Sequence, residues 1–245
     1  MTNEMEATSG HHLAGGFSLA ADGLRLVPDN TIFESGVPVE WTFHILGGDG
    51  RPITEFEESH GERSHLIVVR RDLTAFQHLH PTLEADGTWR VAEFSLPAGG
   101  VYRAFVDVVV DDRPTTLGID LLVSGTFEPN TDQKAMRRAT AADYDIELQS
   151  GLISVGEASQ LSFVVRREDG TSASLHPYLG ALGHLVTLRD GDLAYLHVHP
   201  VETNPEDGTV AFDAQFPTPG HYRLFLQAKP DGELVTAAFD IQVEG

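Results

Sequence analysis

Two stretches of the chain decide its fold, and they repeat each other. Residues 64–81 read SHLIVVRRDLTAFQHLHP, and residues 183–200 read GHLVTLRDGDLAYLHVHP. The two stretches align without a gap, which is typical of an internal duplication. Three aligned positions hold histidine in both copies, namely His65 with His184, His78 with His197, and His80 with His199.

The similarity extends beyond these stretches and sets the domain organisation. Downstream, GVYRAF at residues 100–105 matches GHYRLF at residues 220–225. The repeating unit is about a hundred residues long, which is the usual size of one domain. We therefore predict a flexible leader, a first domain, a linker and a second domain, with the bounds 1–15, 16–128, 129–141 and 142–245.

Short apolar segments predict an all-β protein. The segments are rich in Val, Ile, Leu and Phe, and Gly, Pro, Asp and Asn stand between them. Their regular spacing predicts two tandem immunoglobulin-like β-sandwich domains of about seven strands each. A Tyr near the start of a late strand, Tyr102 or Tyr222, is expected to form the tyrosine corner of such folds. In the first copy the predicted strands cover 39–46, 66–70, 89–96, 102–110 and 117–123.

Composition excludes several classes of function. The formal net charge of −21 repels polyanions, so nucleic acid is not an expected partner, whereas cations are attracted. The chain has no cysteine, which excludes disulfides, thiolate metal sites and cysteine nucleophiles. No apolar run approaches the ~18 residues of a membrane helix, so we expect no membrane span in this chain.

The paired histidines predict metal binding. In a His-x-His segment on a strand, both side chains point to one face of the sheet. A hairpin that places His65 opposite His80 adds a third imidazole, and the same register in the second copy pairs His184 with His199. Imidazole clusters without sulfur suit Zn(II), Cu(II) or Ni(II), and we favour Cu(II) or Zn(II).

One candidate site is predicted for each domain. In the first domain, Glu57, Glu58 and Glu62 are possible substitute ligands, because they flank the loop that carries His60. The candidate ligands are His60, His65, His78 and His80 in the first domain and His176, His184, His197 and His199 in the second.

The chain also resembles a known group of proteins. Residues 66–81, LIVVRRDLTAFQHLHP, and residues 178–200, YLGALGHLVTLRDGDLAYLHVHP, are similar to actinobacterial cell-envelope proteins labelled heavy-metal-binding or uncharacterised. The resemblance runs from about residue 23 to the end. It implies duplicated immunoglobulin-like domains with H-x-H-P motifs, an extracytoplasmic location, and an N-terminal anchor with a histidine-rich stretch. His11 and His12 would be the remnant of that stretch, and the position of His176 is often acidic.

These features together predict a non-enzymatic metal-binding protein of the cell envelope. It would bind, buffer or deliver copper or zinc, with a metal-transport or acceptor protein as a partner. One alternative is a protein-interaction or adhesion module whose histidines are structural. Another is a metalloenzyme with an open coordination position and Glu57 or Glu62 as general base.

Overall fold

The computed structural model of the protein describes residues 15–131, 136–196 and 198–245. Most of the predicted leader, with His11 and His12, lies outside the described residues, and so does His197. The described chain consists of β-strands, turns and one 3-10 helix at Pro205–Asp207. Within these ranges, no helix is long and apolar enough to cross a membrane.

The first domain contains ten strands in two sheets. One sheet has the order β1-β2-β4-β8-β7, and the other has the order β3-β10-β9-β5-β6. The strands are β1 (Ala20–Ala21), β2 (Leu24–Pro28), β3 (Ile32–Glu34), β4 (Val39–Leu46), β5 (Ser64–Arg70), β6 (Gln77–Leu79), β7 (Thr82–Leu83), β8 (Thr88–Phe94), β9 (Gly100–Val110) and β10 (Arg113–Ser124).

The second domain repeats this arrangement. One sheet has the order β11-β12-β13-β18-β17, and the other has the order β14-β19-β15-β16, with β20 also paired to β19. The strands are β11 (Arg138–Ala141), β12 (Tyr144–Gln149), β13 (Ala158–Arg167), β14 (Leu175–His176), β15 (Gly183–Arg189), β16 (Tyr195–Leu196), β17 (His199–Val201), β18 (Thr209–Gln215), β19 (Gly220–Pro230) and β20 (Val235–Val243).

The predicted fold class is confirmed: the chain forms two immunoglobulin-like sandwiches related by duplication. Period-2 alternation buries one side of β4, with Trp41, Phe43 and Ile45 fully covered by the opposite sheet. The strand count exceeds the predicted seven because short edge strands of two or three residues carry no recognisable sequence pattern. The tyrosine corners also form, since the Tyr102 hydroxyl donates to the Ala98 carbonyl at 3.0 Å and the Tyr222 hydroxyl donates to the Thr218 carbonyl at 2.9 Å.

The predicted linker 129–141 is too long at its C-terminal end. Its last four residues form β11, which pairs with β12 through the register Ala141↔Tyr144. Arg138 at the start of this strand binds Glu147 across the ladder at 2.7 Å. Ala139 and Ala141 of this strand pack against the core of the second domain. The polar composition of the segment gave no indication of this half-buried edge strand.

The two domains pack sheet against sheet. All seven residues of β5 are buried, because Leu66 and Val68 face the core of the first domain while Ile67 and Val69 face the second domain. Across the interface, β15 contributes Val186 and Leu188 to the same apolar cluster. A strand covered on both faces reads as a continuous apolar run in the sequence.

The interface has an approximate two-fold relationship. The rings of Phe76 and Phe225 stack with centroids 4.2 Å apart, and those of Phe105 and Tyr195 lie 5.4 Å apart. In the repeat alignment Phe76 is equivalent to Tyr195, and Phe105 is equivalent to Phe225. The same aromatic contact is therefore made twice, as at the interface of a symmetric dimer.

An ion pair at the end of β5 makes stability depend on pH. Burial opposes ionisation of Asp72, but hydrogen bonds from Arg70, the Asn130 backbone and Thr74 outweigh it and hold the pKa of Asp72 below its ordinary value. A carboxyl with a depressed folded pKa stabilises the protein above its unfolded pKa of about 3.9, and this stabilisation is lost as pH falls toward the folded pKa.

We predict that Asp72→Asn lowers the free energy of unfolding by about 2–3 kcal/mol at pH 7, because it breaks a nearly buried charged hydrogen-bond pair. The deficit should shrink as pH falls from about 4 toward 2. Urea denaturation across this pH range measures it, with the exposed Glu93→Gln as the control. A loss of stability in Asp72→Asn that does not change with pH would show that the ionised form of Asp72 is not its cause.

Candidate metal centre

The strand register brings the first-domain histidines together. In the hairpin of β5 and β6, Leu66 pairs with Leu79 and Ile67 pairs with His78. Continuing this register by one position places His65 opposite His80, as predicted. One ring nitrogen from each of His65, His78 and His80 lies within 4.8 Å of the others, so this triad has the dimensions of a metal site.

The second domain adds a histidine to the same cluster. The ring of His184 lies parallel to that of His65, with an angle of 10° between the planes and centroids 5.5 Å apart. It lies 4.7 Å from the ring of His78. His60, on a turn closed by Ser59 and Glu62, reaches the edge of the cluster, with its ring centroid 5.8 Å from that of His184.

The other predicted ligands are distributed differently. His176 is exposed on β14, where it pairs with Lys229. The predicted pairing of His184 with His199 does not form. The second hairpin keeps the expected register at Thr187↔Leu196, but the chain then crosses to the other sheet, where His199 is exposed and pairs with Asp213.

The structure therefore assembles one interdomain cluster from residues that were assigned to two sites. Of the candidate carboxylates, Glu57 and Glu58 are exposed, and Glu62 lines a cavity beside His60. His197 lies outside the described residues, so its predicted role stays a prediction.

Hydrogen bonds fix the tautomers of two ligand candidates. Gln227 Oε1 lies 2.6 Å from His78 Nδ1, and an amide oxygen only accepts, so the N–H at His78 Nδ1 donates this hydrogen bond. His65 Nε2 lies 2.9 Å from the Ser59 carbonyl, which only accepts, so this nitrogen carries the proton of His65.

In the neutral rings, the remaining nitrogens, His65 Nδ1 and His78 Nε2, both present lone pairs. They face each other across 3.0 Å. A proton fills this gap only by leaving a net positive charge in the cluster, whereas a metal ion fills it with two coordinate bonds.

Two further nitrogens in the cluster lack partners. Nε2 of His80 and Nε2 of His184 are buried without a hydrogen bond. A buried polar atom without a partner costs about 1–3 kcal/mol, so such a nitrogen is expected to bind a water molecule or an ion. Four imidazoles thus offer nitrogens whose bonding capacity the protein itself does not satisfy.

Three imidazoles of the cluster, those of His78, His80 and His184, are held in the neutral form. Burial lowers the pKa of His78 to about 3, with a smaller contribution from the neighbouring His65 and His80, while the hydrogen bond to Gln227 opposes the shift. Burial likewise lowers the pKa of His80 and lowers that of His184 well below its ordinary value. Neutral imidazole is the form that binds metal ions.

A cavity of about 90 Å³ opens beside the cluster. Its lining includes His60, His65, His184, Asp107 and Tyr195. A cavity of this volume has room for water beside the cluster. Burial raises the pKa of Tyr195 well above its ordinary value, and its hydroxyl hydrogen-bonds Asp107.

The residues that support the cluster were not predicted from the sequence. Asp107 pairs with His65 across the ladder, and Gln227 pairs with His184 in the equivalent position. Each follows the shared Tyr-Arg motif by a few residues and interrupts an otherwise apolar strand. A polar residue at the same position of this strand in both copies could have indicated that it lies beside the histidines.

The comparisons with known proteins establish a family and no named activity. A family model described as "Domain of unknown function (DUF8832)" matches residues 20–125 and again 139–245. None of the curated proteins matches the chain.

Among solved structures, similarity is limited. The soluble domain of PmoD from Methylocystis sp. ATCC 49242 shows 16% identity over 44% of this chain and 97% of that chain, with a TM-score of 0.31. Salmonella alpha-2-macroglobulin reacted with methylamine shows 16% identity over 95% of this chain, with a TM-score of 0.32. This chain spans only 15% of the macroglobulin. Yersinia pseudotuberculosis InvD shows 14% identity over 92% of this chain and 58% of that chain, with a TM-score of 0.29.

We predict that His184→Leu leaves the metal-free protein equally stable or stabilises it by up to about 2 kcal/mol, because an apolar side chain replaces an unsatisfied nitrogen. Urea denaturation with a chelator present measures this. Leu188→Ala on the same strand is the comparison and should lose about 2–5 kcal/mol through lost packing. A loss above about 2 kcal/mol for His184→Leu would indicate a structural histidine.

Proposed function

This chain belongs to the DUF8832 family, whose function is unknown, and we propose that it binds one divalent transition-metal ion at the histidine centre between its two domains. His65, His78 and His80 are the primary ligands, and His184 is the fourth. The ion is cargo that the protein binds, buffers or delivers.

The observation that carries this proposal is the pair of facing lone pairs on His65 and His78. Their nitrogens lie 3.0 Å apart. Two nitrogens on one tetrahedral ion, each bonded at about 2.0–2.1 Å, are separated by about 3.3 Å, so a small outward shift admits the ion. No rearrangement of the β5–β6 hairpin is required.

The outer contacts also match a metal centre. The second nitrogen of a ligating histidine is usually held by a carbonyl or carboxylate, which sets the tautomer and orients the ring. The Ser59 carbonyl holds His65 in this way, and the Gln227 amide oxygen holds His78. A purely structural cluster would be expected to satisfy the nitrogens of His80 and His184 as well.

Ligand chemistry favours Cu(II) or Zn(II) as the ion. All four candidate ligand atoms are imidazole nitrogens, and the chain contains no cysteine. Soft sulfur ligands select Cu(I), whereas imidazole suits Zn(II) and Cu(II). The net charge of −21 favours cation binding by long-range attraction.

A carrier role at the cell envelope is supported by the resemblance to actinobacterial envelope proteins and by the cavity beside the cluster. The cavity gives a bound ion a path to solvent, as a protein that releases its metal to an acceptor needs. In this proposal the protein is not an enzyme, and its partner is a metal-transport or acceptor protein.

A metalloenzyme is the second candidate, and the cavity is the observation that favours it. A catalytic metal keeps an open coordination position for water or substrate. The His65, His78 and His80 triad with an open fourth position beside Asp107 and Tyr195 would satisfy that requirement. Metal-dependent turnover of ester or phosphate-ester substrates would favour this candidate over the carrier.

We predict about one tightly bound ion per chain, because His184 of the second domain joins the first-domain histidines in one cluster. Titration with Zn(II) and with Cu(II), followed by metal analysis after dialysis, measures the stoichiometry. The double variant His78→Ala/His80→Ala should lose the tight ion. His44→Ala removes a histidine bound to Thr88 in the opposite sheet and should retain it.

Two outcomes would contradict this prediction. About two tight ions, one of them lost in His199→Ala, would establish a separate second-domain site. Failure of the wild type to retain any ion would make the cluster structural.

A further inference from the structure

The proposed ligands come from both sides of the domain interface. His65, His78 and His80 belong to the hairpin of β5 and β6 and the residue that follows it, and His184 lies on β15 of the second domain. His65 and His184 occupy equivalent positions in the repeat, and their parallel rings stack at 5.5 Å. The cluster therefore lies close to the approximate two-fold axis of the interface.

A second contact also crosses the interface at this place. The oxygen of Gln227, on β19 of the second domain, accepts a hydrogen bond of 2.6 Å from His78 Nδ1 in the first domain. The orientation of a first-domain ligand thus depends on a second-domain side chain. Separation of the domains would remove both this restraint and the fourth imidazole.

The apolar part and the histidine part of the interface have opposite effects on the free energy of association of the two domains. Its apolar part buries Ile67, Phe105, Leu188 and Phe225 almost completely, which favours association of the domains. Its histidine part, in the metal-free protein, holds unsatisfied nitrogens on His80 and His184, which disfavours association. The interface is therefore weakest where the histidines meet.

We infer that the bound ion clamps the two domains together and that separation of the domains releases it. This inference rests on the proposed metal binding. An ion with ligands from both domains binds the associated arrangement more tightly than the separated one, so it stabilises association by the difference. Linkage is reciprocal, so whatever separates the domains lowers metal affinity by the same factor.

Separation of the domains provides a mechanism for transferring the bound ion to an acceptor protein. An acceptor that binds the interface face of either domain competes with the other domain for that face. Its binding separates the sheets, removes His184 and Gln227 from the ion, and leaves the three first-domain imidazoles exposed for ligand exchange. Release would then be coupled to recognition of the acceptor and would not depend on spontaneous dissociation.

Hydrogen exchange on the full chain tests the clamp, measured by mass spectrometry with and without saturating Zn(II). Zinc should slow exchange by about tenfold or more in β5 and β6 and equally in β15 and β16, because it stabilises the docked state. In His184→Ala, any zinc that remains bound through the other three histidines should protect β15 and β16 less than zinc does in the wild type, because only Gln227 still links the second domain to a ligand. Complete loss of zinc in His184→Ala would also support the inference, because the site then needs both domains.

Val186→Ala is the matched control, since it trims an interface side chain beside His184 without removing a nitrogen. It should keep zinc-dependent protection in both domains. Metal content is measured on the same samples. Wild-type protein that retains zinc but gains protection only in β5 and β6 would overturn the clamp and leave metal binding intact. Wild-type protein that retains no zinc would overturn the proposed function and the clamp with it.

Discussion

The packing of β5 against β15 is the constraint on which the rest of this structure depends. Each strand covers the core of its own domain with one face and meets the other domain with the opposite face. Because side chains alternate along a strand, the face that carries Ile67 and Val69 also carries His65, and the face that carries Val186 also carries His184. Burial of the apolar residues therefore draws the two histidines together.

Duplication explains why this arrangement concentrates one residue type. When two copies pack through the same face, a side chain near the axis meets its own counterpart, as His65 meets His184. The copies then diverged around the axis, since Asp107 faces His65 in the ladder where Gln227 faces His184. The result is a single histidine cluster with asymmetric surroundings, in which His78 is hydrogen-bonded to Gln227.

The sequence predicted the two-domain sandwich, the extent of β4 and the register of the β5–β6 hairpin, because these follow from alternation and spacing within one copy. It did not predict that histidines of the two domains form one cluster. The apolar run at residues 66–69 is buried on both faces, and such a run carries no signal of which face meets another domain. Contacts such as that of His78 with Gln227 join residues 149 positions apart, and no local pattern encodes them.

In the proposed metal site, imidazoles of both domains converge on one ion. Anomalous diffraction at the metal absorption edge, from crystals of the zinc-loaded protein, tests it most directly. We predict one strong anomalous peak per chain. It should lie about 2.0–2.1 Å from nitrogens of His65, His78 and His80, on the side that His184 approaches. A separate peak within each domain, or no peak at the interdomain cluster, would contradict it.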